Sequence, residues 1–301
     1  MKRCIPVSFL AVLLITAQAH AVNRTWANPV NGPWNTAANW NPAGVPTAAD
    51  DLTIPFAVTI SVNNGGNALA NSLTITAGAM INRPGAANPR VMTVTAGITV
   101  TPSGNVTINV PFTAASLTKT GSGVLTLTEQ ALSGAGQEVS GAVNVTGGTL
   151  LLNGPNTFTT GGIVTVGTGA ALTRADAGTL APGGGLTVNG GAVTFAAGGD
   201  LNSGGAVTLN GGSMTFNGSG GLSATGQPLT VGAGSSISTT ADASISVGSV
   251  AINGGSVSFG GNGNLNASGA VSVGGGGSLS FAGSGNVFSQ SFALASGSSF
   301  T

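Results

Sequence analysis

Leu186-Thr-Val188, Val207-Thr-Leu209, Leu229-Thr-Val231, Val250-Ala-Ile252 and Val271-Ser-Val273 are five versions of one triplet, spaced 21 or 22 residues apart. A second set lies between them: Val193-Thr-Phe195, Met214-Thr-Phe216, Val257-Ser-Phe259 and Leu279-Ser-Phe281. Each triplet reads apolar–polar–apolar, the period of two that sends alternate side chains to opposite faces of a strand. The connectors, such as Asn189-Gly190-Gly191 and Asn210-Gly211-Gly212, hold residues that turn sharply and tolerate positive φ. Two triplets plus a lone apolar residue (Leu201, Leu222, Leu265 or Val287) fit one coil with three short sides. Such a coil cannot bury its inner face alone, but stacked coils share one core and one hydrogen-bonded ladder.

The expected fold is therefore all-β, a right-handed parallel β-helix (solenoid) with about 21–22 residues per coil. At about 4.8 Å per coil, roughly a dozen coils give a rod on the order of 60 Å long. A β-sandwich or propeller also uses short strands, but sandwich strands need not recur and propeller blades recur at about twice this length. With 52 Gly and 13 Pro, no long stretch after the leader holds a helical apolar stripe.

The amino terminus has a different character. Met1-Lys2-Arg3 precedes an apolar run from Ile5 to Ile15, and Ala19-His20-Ala21 is a small-x-small site. Residues 1–21 thus read as a secretory signal peptide, too short for a comfortable membrane span, and no later stretch is long enough for one. The only cysteine, Cys4, and the only histidine, His20, would leave with it. The mature chain would then lack thiol and imidazole, which removes disulfides, Cys or His metal ligands and Ser-His or Cys-His nucleophilic machinery. Without Lys2 and Arg3, five basic residues face seven acidic ones, and no basic patch suits nucleic acid. Neither catalytic, metal nor cofactor-binding residues are expected.

Residues 22–81 hold all three tryptophans and the first strands, residues 82–180 form a less regular stretch, and residues 181–301 form the Gly-rich array. The array ends in mid-pattern at Ser298-Ser-Phe-Thr301, suggesting an amino-terminal piece of a longer protein, with a candidate outer-membrane anchor in the missing carboxy-terminal part. Trp26, Trp34 and Trp40 are candidates for a platform that stacks on sugar rings. The favoured reading is a cap over the first coil. Asp50-Asp51 reads as a solvated turn ahead of Leu52 rather than a Ca²⁺ site. Arg174 and Asp176 fall on one strand face as a surface pair, and the outward threonines, such as Thr187 and Thr208, read as soluble β-formers.

Leu117-Thr-Lys-Thr-Gly-Ser-Gly-Val-Leu-Thr-Leu127, Gly147-Gly-Thr-Leu150 and Asn156-Thr-Phe-Thr-Thr-Gly-Gly162 together resemble the autotransporter-associated β-strand repeat over residues 116–172. Phe158 stands where that family usually has tyrosine, and the irregular Glu129–Glu138 segment replaces a more compact turn. The resemblance implies a right-handed β-helix in a secreted or surface-displayed bacterial protein. The function expected from sequence is a non-catalytic structural or adhesin-like rod, with extracellular polysaccharide or a host or matrix surface as partner. The alternatives are a carbohydrate-binding or polysaccharide-degrading β-helix and an envelope layer component.

Overall fold

The computed structural model describes residues 21–63, 66–85, 90–128, 131 and 138–301. The leader with Cys4 and His20 lies outside these residues, as do Glu129 and parts of the 83–90 turn and the 129–138 segment. The chain winds into a parallel β-solenoid of about 11 coils with three strands to a coil, as the repeat predicts. Residues 186–189, 192–195 and 200–202 exemplify the first, second and third sides. At about 4.8 Å per coil the rod is about 50 Å long. The second side forms its own sheet of 13 strands among the described residues. The first and third sides merge into a second sheet because Ala68–Ile75, Met92–Val100, Leu222–Val231 and Ile245–Asn253 each run through the corner between them.

Register explains why the repeat is so even. One inward column of the first side runs unbroken from Leu52 through Leu73, Ile98, Leu117, Val143, Val164 and Leu186, continuing to Phe292. Steps along it are uneven between Leu73 and Val143 and 21 or 22 residues thereafter. Up to Leu279 the inward Val, Leu, Ile and Phe are almost wholly buried and the Thr and Ser between them half-exposed, whereas the last coil leaves Phe292, Leu294 and Phe300 exposed. On the second side Phe195 stacks on Phe216 at 4.7 Å and Phe259 on Phe281 at 4.6 Å, so the aromatic column repeats with the coils.

The corner from the second to the third side has constant length. Eight residues separate Leu172 from Leu180, Val193 from Leu201, Met214 from Leu222, Ile237 from Ile245 and Val257 from Leu265. The other two corners absorb the differences in coil length. At the constant corner Gly178, Gly199, Gly220, Gly263 and Gly285 recur two residues before the third-side apolar residue, with Ala243 in the remaining coil, and at these glycines the backbone of neighbouring coils leaves no room for a Cβ.

Candidate functional site

Three groups of side chains were candidates for chemistry, and the fold disposes of each differently. Trp26, Trp34 and Trp40 are 1%, 0% and 1% exposed, so no ring face is open to a sugar. The expected alternative of a glycan-stacking platform is thereby corrected: the three rings close the first coil. Trp40 meets Trp26 edge-on at 5.0 Å and Trp34 at 5.3 Å. Its Nε1–H donates to the Trp34 carbonyl at 2.8 Å, and Trp26 Nε1–H donates to the Val30 carbonyl at 3.2 Å. The short strand Trp40–Asn41 runs antiparallel on Asn23–Trp26, which itself begins the parallel ladder against Asp51–Ile54. On the second side the edge pair is Gly32–Pro33, and proline, lacking an N–H, blocks further pairing.

Asp50 is not a solvated acid, which corrects the second expectation, while Asp51 is half-exposed. Asp50 is 1% exposed and accepts from Val22 N, Arg24 Nε, Thr47 N and Thr47 Oγ1 at 2.8–3.1 Å. Burial pushes its pKa up, but the hydrogen bonds from Thr47, Arg24 and Val22 outweigh this and hold it below the ordinary 3.8. Asp51 accepts from Ser72 Oγ and Asn71 Nδ2, which likewise lower its pKa. Carboxylates with depressed folded pKa values contribute stability that is present above 3.8 and lost as pH falls through the folded values. The cap is therefore expected to open below pH 3.8. Tryptophan emission should shift to the red there before far-UV circular dichroism loses the rod, and emission unchanged down to pH 2 would contradict the staple.

The third correction concerns Arg174. It is fully buried on the inward register of the second side, between Leu152 and Phe195, and forms no surface pair with Asp176. Its Nη2 donates to the carbonyls of Gly154 and Asn156, while Nε and Nη1 find no hydrogen-bond partner among the described residues. Burial lowers its pKa to about 10 against the attraction of Asp176 and Glu138. Lys119 is also buried, its pKa lowered by desolvation, and its Nζ donates to the carbonyls of Gly121 and Gly147. Glu138 accepts from Thr159 N at 2.8 Å, and burial raises its pKa. These charges tie corners of successive coils together from inside, so they staple the scaffold and do not face a substrate.

What faces outward is a groove on the third side of the regular array, with a volume of about 420 Å³. Its lining includes Asp200, Asn202, Ser223, Asp242, Ser244 and Ser246. The constant corner builds it. Asp200 Oδ1 accepts from Gly221 N at 2.9 Å, one coil on, and Asp242 Oδ1 accepts from Asn262 N at 2.7 Å. The same rungs continue where Asn264 Oδ1 accepts from Asn286 N at 2.8 Å and Asn262 Oδ1 from Ser284 N at 3.0 Å. Gly221 interrupts this ladder of side chains, since a Cβ there would run into the Ser244 carbonyl, and the gap becomes the groove floor. Sequence reasoning missed the site. Its only signal was a polar residue preceding Leu201, Ile245 and Leu265 at fixed spacing, which also describes an ordinary turn.

With this geometry in view, comparison with known proteins adds one match. Residues 25–125 fit a family model described as Domain of unknown function (DUF8693). No curated protein and no solved structure matches the chain. The matched third holds the tryptophan cap, Asp50 and the first coils, and stops short of the groove.

The groove's chemistry is hydrogen bonding. Asp200 and Asp242 stand two coils apart, about 10 Å along the axis, so they bracket the groove. Among the described residues no group of three or more His, Cys, Asp or Glu could hold a metal ion, and no helix is long and apolar enough to cross a membrane.

Proposed function

We propose that this chain is a secreted or cell-surface rod whose work is structural and adhesive rather than catalytic. The observation that carries the reading is the division of side chains between core and surface. Most of the large apolar groups and three of the charged ones, Lys119, Glu138 and Arg174, serve the stack, and the long sides present mainly Thr, Ser and Asn. A face of small, uncharged hydrogen-bonding groups suits contact with hydrated polymer. Residues 1–21 support export, and the resemblance over residues 116–172 supports display at a bacterial surface. Autotransport would further require a carboxy-terminal membrane barrel.

The test is topological and functional together. Protease applied to intact cells of the native host should cleave the rod, and deleting the gene should reduce attachment to polysaccharide-coated surfaces. Retention of the protein in the cytoplasm, or unchanged attachment after deletion, would count against the reading. The carbohydrate-binding alternative is favoured by the polar groove, and the attachment reading includes it.

A further inference from the structure

We infer that the groove between Asp200 and Asp242 is a binding site for an uncharged, hydroxyl-rich glycan laid along the rod. This rests on the reading of the chain as an attachment rod and names the surface that attaches. Each carboxylate spends Oδ1 on a backbone N–H of the next coil, which fixes its orientation. Among the described residues no donor bonds either Oδ2, and both residues are exposed. Two oriented acceptors therefore flank a floor of Gly221, Ser219 and Ser223, with Asn202 and Ser246 supplying donors and acceptors of their own. Sugar hydroxyls are donors and acceptors at once, and a carboxylate oxygen takes a hydroxyl proton in a short, charge-assisted bond.

Charge and size select the ligand further. No lysine or arginine lines the groove, so its two negative charges disfavour a polyanion. The volume of about 420 Å³ lies within the range of small-ligand sites, enough for a short run of sugar units and open at its sides to a longer chain. Aromatic rings are missing from the lining, so affinity for one site rests on hydrogen bonds alone and is modest.

The test uses the full chain with cellohexaose, laminarihexaose and mannohexaose, and polygalacturonate as the anionic comparison, by titration calorimetry. At least one uncharged oligosaccharide should bind, and polygalacturonate should not. Asp200→Asn and Asp242→Asn keep the acceptor for the backbone N–H, as Asn262 and Asn264 do in the same ladder, so these variants should fold. Each exchanges the free acceptor for a donor and should weaken binding about tenfold. Ser223→Trp should fill the groove and abolish binding, whereas Thr194→Trp on the second side should leave it intact. Failure of all three oligosaccharides to bind, preference for polygalacturonate, or binding that the Asn variants and Ser223→Trp leave unchanged would overturn the groove. In the last case the rod attaches through another face and the proposed function stands. Loss of surface exposure in the host would instead sink the attachment reading, whatever the groove binds in solution.

Discussion

Trp40→Ala is expected to destabilise the amino-terminal coils by about 3–5 kcal/mol, the cost of deleting a buried indole and leaving its cavity. Trp40 stands between Trp26 and Trp34, touching both edge-on, and its Nε1–H satisfies the Trp34 carbonyl. It also begins the antiparallel strand that closes the ladder's first edge. Removing the ring thus opens a void, orphans a carbonyl and loosens an edge together. In a solenoid each coil contacts only its neighbours, so the loss should stay local. In urea, emission from Trp26 and Trp34 should fall well before the far-UV signal of the whole rod, where the parent shows the two transitions closer together. Trp40→Phe, which keeps a ring but loses the N–H, should do far less harm. A single coincident transition in Trp40→Ala, shifted by under about 1 kcal/mol, would show that the cap does not hold the first coils.

The second large effect is expected at the constant corner. Gly263→Ala places a Cβ against the carbonyl oxygen of Ala243, and backbone cannot step aside as a flexible side chain can. Either the two coils part or the corner distorts, and both lose ladder hydrogen bonds along the third side. Overpacking of this kind costs about 1–3 kcal/mol or more. Gly211→Ala is the matched control. Gly211 has φ +78° but nothing lies within 4 Å of its would-be Cβ, so the cost reduces to left-handed strain of about 1–2 kcal/mol. Chemical denaturation of the two variants should rank Gly263→Ala as clearly the more damaging. Equal costs, or the reverse order, would mean that backbone contact does not set the coil spacing at this corner.

The fold was legible because the same residues that fill the core also carry the register. Leu186, Val207 and Leu229 are both the repeat and the column. The tryptophans were less legible, since an aromatic cluster in a polar segment reads equally well as a platform or a plug. Only the antiparallel return of Trp40–Asn41 onto Asn23–Trp26 buries them. Arg174 was misread although its register was already in the sequence, because Leu172-Thr-Arg174 occupies the frame of Val193-Thr-Phe195. The habit of placing charges outside prevailed, and the carbonyls that receive its guanidinium lie 18 and 20 residues away. The groove was invisible for a related reason. Asp200 and Asp242 are 42 positions apart in the chain and become neighbours only through the stacking of coils.

The ladder that joins these coils has a direction, and that direction decides how the rod would answer a pull. Its hydrogen bonds lie along the long axis, so tension applied between the two ends loads them head-on and concentrates on the outermost rung. The rod would then yield by peeling one coil at a time. A folded coil contributes about 4.8 Å of length, and the 21 residues it holds in the regular array release about 70 Å when drawn straight. A rod built this way would lengthen in steps under load while the remaining coils stay folded.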